Sequence, residues 1–163
     1  MNLSSRAVSA ARELLSGPSG LKVSIETIEE LRGSLATEAR FTVDTSYWSA
    51  KLADRIPDNR FPRVSIALTK MYRGQKDKLA DFSALAGLQF ELTLTHEKAA
   101  DLQSALGDYV DALCDVLNRN QGLWADGVFY AGGFHVDVSP VSRGGLNFVQ
   151  NATISFEIHL WQE

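Results

Sequence analysis

The sequence predicts an α+β domain: a mostly antiparallel β-sheet of about four or five strands, covered on one face by a long helix and an N-terminal helix. Three observations predict it. Leu88, Phe90, Leu92 and Leu94 alternate with Gln89, Glu91, Thr93 and Thr95, and Ala152–Leu160 alternates in the same way, the period of strands with one buried face. Between them, Glu97–Asn118 carries Leu102, Ala105, Leu106, Tyr109, Val110, Leu113, Val116 and Leu117 at the spacing of an amphipathic helix. With 163 residues, 45% hydrophobic and 22% charged, the chain is long enough to bury roughly 68–70% of its unfolded surface. Residues 1–163 therefore read as a single domain without repeats, with an N-terminal helix and an extended or helical segment over 1–60 and a β-β-α-β-β core over 61–163.

The first segment, Ser4–Ser16, places Ala7, Val8, Ala11, Leu14 and Leu15 at helical spacing, with Ser4 or Ser5 as cap, and Gly17-Pro18 closes it. From Leu21 to Ile28 the apolar Leu21, Val23 and Ile25 alternate with Lys22, Ser24 and Glu26, as in a strand. Glu26–Ala39 equally holds Ile28, Leu31 and Leu35 as a helix would, and both readings stand. Phe41 and Val43 suit a short extended stretch, and Ser46–Arg55 a brief helical turn. The run Pro57-Asp58-Asn59-Arg60-Phe61-Pro62 forces a turn, because each proline lacks a backbone donor and restricts its predecessor.

Arg63–Lys70 alternates Val64, Ile66 and Leu68 against Ser65, Ala67 and Thr69, the pattern of a strand. Tyr72–Ala86 is expected to be a polar connector projecting from the body, tethered by Leu79, Phe82 and Leu85. After the long helix, Asn118, Asn120 and Gly122 suit the left-handed conformation that often ends helices. Val128–Ser139 reads as a strand with a bulge or bend at Gly132-Gly133, placing Phe134, Val136 and Val138 on one face and His135 and Asp137 on the other. Pro140 ends it, Ser142–Asn147 forms a Gly-rich tip, and Gln150–Leu160 is the last strand.

The charge balance, 16 Lys and Arg against 20 Asp and Glu, gives a net charge of -4 and disfavours non-specific binding to nucleic acid or an anionic membrane. The single Cys114 cannot form an internal disulfide and suits a reducing compartment. No apolar run approaches the roughly 20 residues that span a bilayer, and Met1–Arg12 lacks the apolar centre of a secretory signal, so a soluble protein made in the cytoplasm is expected. Gly127, Gly132, Gly133, Gly144 and Gly145 spell neither a dinucleotide nor a Walker loop, and no nucleophile elbow is present. Cys114, inside the helix, reads as a packing residue. The sequence points to no catalytic residue and no cofactor.

Two groups invite a ligand nonetheless. His135 and Asp137 share a strand face that Glu157 and His159 of the last strand would join, a donor set suited to a divalent metal, although alternation alone also places such residues on any wet sheet face. Lys70, Arg73, Lys76 and Lys78 surround Tyr72 in a basic patch suited to phosphate or to a protein partner, and Arg143 on the Gly-rich tip has the same double reading. His96, beside Glu97, reads as a helix-start residue. Trp48, Trp124 and Trp161, with Tyr47 and Phe129, read as core or interface anchors.

The order from Phe61-Pro62-Arg63-Val64-Ser65-Ile66 onward supplies more. A strand opened by proline, a polar connector, a Leu-x-Phe-x-Leu-x-Leu strand, a helix beginning near Asp101 and two strands joined by a Gly-rich tip and ending Ala152-Thr153-Ile154-Ser155-Phe156-Glu157-Ile158 resembles the tail terminator proteins of long-tailed bacteriophages and related phage-like particles. The resemblance covers about 100 residues and lies in element order and texture. It implies a non-enzymatic virion protein, assembled in the host cytoplasm, that forms a ring, typically a homohexamer, at the head-proximal end of the tail tube. Such a ring stops tube polymerisation and joins the tail to the neck. The implied partners are further copies of the chain, the tail tube protein and a neck or head-completion protein, with DNA passing through the channel without specific binding and no membrane contact. Tyr72, Arg73, Lys76, Lys78 and Arg143 are the expected subunit or tube contacts. Another neck, tail-completion or baseplate subunit, or a small metal- or ligand-binding domain, are the alternative readings.

Overall fold

A strand with one apolar face needs hydrogen-bonded neighbours along its edges, and the two longest strands supply them to each other. The computed structural model describes residues 3–32, 49–50, 62–73 and 82–162. In it β3 (Phe82–His96) and β8 (Asn147–Gln162) pair antiparallel from Phe82 opposite Gln162 to His96 opposite Phe148. On the other edge of β3 lies β2 (Arg63–Arg73), antiparallel, with the two-residue β1 (Ser49–Ala50) parallel beyond it. The far edge of β8 is shared end to end by β7 (Ser142–Gly144), β6 (Phe134–Val138) and β5 (Val128–Tyr130), and β4 (Gly122–Ala125) pairs with β5.

The α+β architecture is as the sequence predicts, but the sheet has eight described strands where four or five were expected. The excess has a simple cause: β8 is 16 residues long, so one edge accommodates three short strands in succession. The expected single strand Val128–Ser139 is two of these, broken where Gly132 and Gly133 take positive φ, which L side chains rarely adopt.

Three described helices lie on one side of the sheet: α1 (Leu3–Ser16), α2 (Leu21–Arg32) and α3 (Ala99–Arg119). α1 packs on β2 and β3, α3 on β3 and β8, and α2 on α3. Between them and the sheet lie Leu88, Phe90, Leu92, Ile154, Phe156 and Ile158 from the strands and Leu102, Leu113, Val116 and Leu117 from α3, in one continuous core. Phe90, Phe156, Tyr130 and Trp124 stack in tilted and edge-on contacts within it. No helix among the described residues is long and apolar enough to cross a membrane.

Several local expectations are corrected. Leu21–Ile28 is helical, not a strand: Leu21, Ser24, Ile25 and Ile28 are buried at helical spacing, whereas Val23, which completed the alternation, faces outward. The buried Ser24 hydroxyl donates to Asp115 on α3 and accepts from Arg119, which resolves the polar residue on that face. α1 begins at Leu3, ahead of both serines expected to cap it. Ser49–Ala50 is a strand where a helical turn was expected. Asn118 and Asn120 do not take a left-handed conformation; Asn120 caps α3 through its backbone N–H and its side-chain amide, both donating to the Val116 carbonyl. The expectations for 33–48 and 51–61 lie outside the described residues.

The Tyr72–Ala86 connector is corrected most. Lys70, Met71, Tyr72 and Arg73 pair with Gly87, Ala86, Leu85 and Ala84, so β2 and β3 continue as a long hairpin and both ends of the expected connector belong to the sheet. The 74–81 stretch, with Lys76 and Lys78, lies outside the described residues.

Candidate functional site

The face of the sheet opposite the helices holds the residues that sequence reasoning singled out. Strand geometry sends alternate side chains there: Ser65 and Ala67 from β2, Gln89 and Glu91 from β3, Thr153, Ser155, Glu157 and His159 from β8, His135 and Asp137 from β6. No described helix packs over them.

A β-bulge decides what β2 contributes. Strict alternation from Val64, Ile66 and Leu68 would send Lys70 and Tyr72 into the core. Between Leu68 and Lys70 the register shifts, with Thr69 as the extra residue and its Oγ1 donating to the Gly87 carbonyl at 3.1 Å. Beyond it the parity reverses: Met71 packs against the core while Lys70 and Tyr72 turn to the open face.

Lys70 then reaches across an entire strand. Its partner on β3 is Gly87, whose partner on β8 is Glu157. The Lys70 Nζ lies 2.6 Å from Glu157 Oε1, although the two backbones are separated by two strand spacings, roughly 9–10 Å. Glycine is what permits this: a Cβ at position 87 would sit 2.5 Å from Lys70 Cγ and 2.8 Å from its Cε. The hydrogen bond to Glu157 holds the Lys70 ammonium above its ordinary value, with burial opposing in part, and Nζ also lies 5.4 Å from the centre of the Tyr72 ring.

The open face divides into two halves. Towards the β2–β3 hairpin it is aromatic: Tyr72, Leu85, His159 and Phe129 form one cross-strand row, with Trp161 in the next. Tyr72 is 58% exposed and Phe129 38%, unusual for side chains of this size. Towards the other end it is polar, with Gln89 donating to Glu91 at 2.6 Å and His135 Nε2 lying 3.2 Å from Asp137 Oδ1.

Of the expected metal donors, all four do share this face, but they are dispersed along it. His135 lies opposite Ser155 and His159 opposite Phe129, four residues apart along β8, roughly 13 Å. Glu157 is engaged by Lys70 and the His159 ring meets the Phe129 ring edge-on. Among the described residues no three His, Cys, Asp or Glu side chains converge as an ion would require.

The expected contact residues are also split. Tyr72 is at the hairpin end, where Arg73 ends β2, while Arg143 sits on β7 opposite Phe148, its guanidinium over that ring at 5.6 Å. Eleven residues of β8 separate their levels, roughly 35 Å. His96, expected to start the helix, instead ends β3 opposite Phe148, three residues before α3, with its Nδ1 accepting from the Lys98 N–H at 3.0 Å. Cys114 is half-buried against the core, and burial pushes its thiol up to about 11, leaving it protonated and unreactive at neutral pH.

Sequence reasoning missed three features. Leu85 was assigned to a connector and instead joins the aromatic row. Leu146, at the β7–β8 turn, is fully exposed. A cleft of about 350 Å³ opens where the α1–α2 turn meets the end of α3 and β4, lined by Glu13, Leu14, Pro18, Leu123 and Trp124 among others. Its lining comes from two segments distant in sequence, so no local pattern signals it. No protein-family model matches the chain, and no curated protein matches it either.

Proposed function

We propose that the chain is a structural assembly subunit of the tail-terminator kind, which closes into a hexameric ring on the head-proximal end of a phage-like tail tube, stops tube growth and joins the tail to the neck. The observation that supports this reading is the open sheet face. Tyr72, Leu85 and Phe129 share a cross-strand row over which no described helix packs, and an exposed, partly aromatic sheet surface suits a protein partner.

On this reading the aromatic end of the sheet, with Tyr72 and Arg73, meets the tail tube or the neck, Lys76 and Lys78 are further contacts of the same kind, and Arg143 contacts a neighbouring subunit. The ring is a virion component needing no cofactor. Its net negative subunits, at -4 each, let DNA pass the channel without adhering to it.

Native mass measurement tests the ring. A species of six times the 17.9 kDa chain is expected, and a monomer at every concentration overturns the proposal. Particles assembled without the chain should carry tails of uncontrolled length; normal tails would assign it to a different neck or baseplate position.

A further inference from the structure

The molecule has an exposed apolar knob and a cleft of mixed polarity at opposite ends. The knob is Leu146, in the two-residue turn that joins Gly144 to Asn147, and it is 100% exposed. A hairpin turn of this length is normally made from polar residues and glycine, so a leucine with no intramolecular contact to make is an expensive choice for a monomer. Beside it, Arg143 projects from β7, exposed, with its guanidinium over the Phe148 ring.

The cleft lies at the far end of α3. His96 pairs with Phe148, so α3 begins beside the hairpin carrying the knob, and its 21 residues run roughly 30 Å to Arg119 and Asn120, which line the cleft. Leu14, Pro18, Trp124 and Leu123, the last 65% exposed, are the apolar part of a lining that Ser19, Asn120 and Gln121 make largely polar. The walls are held firmly: Ser19 and Asn120 exchange hydrogen bonds between Ser19 Oγ and Asn120 Oδ1 and between Asn120 Nδ2 and the Ser19 carbonyl, and Trp124 Nε1 donates to the Asn120 carbonyl. Of the two charged residues in the lining, Arg119 is neutralised by Asp115 at 2.8 Å, so the exposed Glu13 sets the sign of the cleft.

We propose that Leu146 of one copy inserts into the Leu14, Pro18, Leu123 and Trp124 cleft of the next, with Arg143 against Glu13. The inference rests on the ring reading above and names its contact. Arg143 and Glu13 are of opposite charge, Leu146 meets the apolar part of the lining, and the two patches are different, so the contact is heterologous: every copy that donates its knob keeps its cleft open for another. Because the patches sit at opposite ends of the same rigid helix and strand, copies associate head to tail, and the series ends only when rotation brings the last cleft to the first knob.

The test uses the full chain in two experiments. Leu146→Cys and Leu123→Cys variants, co-expressed as separate chains, should cross-link under mild oxidation, while either alone should not; the half-buried native Cys114 is common to all arms. Arg143→Glu and Glu13→Arg should each weaken self-association roughly ten-fold or more, and the double variant should recover most of the loss. Circular dichroism of each variant confirms that it is folded. Rings without the cross-link and without recovery in the double variant overturn this contact while leaving the ring standing. Cross-linked open chains support the contact and overturn the terminator reading, and a wild-type chain that stays monomeric overturns both.

Discussion

The two faces of one sheet obey opposite rules in this molecule. Towards the helices, successive inward residues of β3 are Ala84, Ala86, Leu88, Phe90, Leu92 and Leu94, all buried and all apolar. On the other side of the same strand, Ser83, Leu85, Gly87, Gln89, Glu91, Thr93 and Thr95 follow no single chemistry. The inner face is constrained by packing at crystal-like density, so every position has the same requirement. The outer face has no such uniform requirement: Ser65 and Ala67 are buried there while Glu157 and His159 are exposed, and a glycine, a lysine and a glutamate form one unit where Gly87 leaves room for Lys70 to reach Glu157. The inner face stabilises the subunit, and the outer face is free to carry contacts.

Substitutions sharpen that contrast. Phe90→Ala removes a fully buried ring that packs against Phe156 and should cost about 3–5 kcal/mol in urea unfolding; a loss below 1 kcal/mol would break the assignment of this face as the core. Leu113→Ala on α3 should cost about 2–5 kcal/mol for the same reason. Ser24→Ala tests the polar exception on the helical side. It strips a buried hydroxyl from Asp115 and Arg119 and should cost about 1–3 kcal/mol, largely restored by Ser24→Thr if the hydroxyl is what matters.

On the outer face a Tyr72→Asp, Phe129→Asp double variant should leave unfolding within about 0.5 kcal/mol of the parent for each change, yet abolish binding to the partner that the face serves. A large destabilisation would mean that the face is structural. The smallest effect belongs to Glu157→Gln. The folded Lys70 value lies above its ordinary 10.5, so the stabilisation from its bond to Glu157 is present below the unfolded value and is lost as pH rises through the folded one. The stability difference between parent and variant should therefore be visible at neutral pH and vanish at strongly alkaline pH; a constant difference would show that the pair is not the cause.

Much of this was legible in the chain. The α3 and β8 segments and the Leu88–Thr95 part of β3, each strongly periodic, were placed within a few residues, because alternation and helical spacing report burial directly, while Phe82–Ala86 at the start of β3 was read as connector. Leu21–Arg32 was ambiguous because the short alternation from Leu21 to Glu26 is compatible with either period, and the deciding contact, Ser24 with Asp115, lies 91 residues away. The β2 bulge left a trace, the conflict between Leu68 and Lys70 on one parity, but a charged residue at the end of a strand pattern looks like the strand's end. Of the site, the shared face of His135, Asp137, Glu157 and His159 was foreseen, while their dispersal along it and the presence of Tyr72 and Leu85 on it were not.

The sequence by itself determined the α+β class, the buried face of each long element and the polar character of the other, since hydrophobic periodicity is a local property of consecutive residues. Only the tertiary structure decided which strands share the edge of β8, that Lys70 crosses Gly87 to Glu157, and that Leu146 and the Leu123 cleft stand at opposite ends. Those depend on register between segments distant in sequence, and register is fixed by the simultaneous packing of all the elements rather than by the pattern within any one of them.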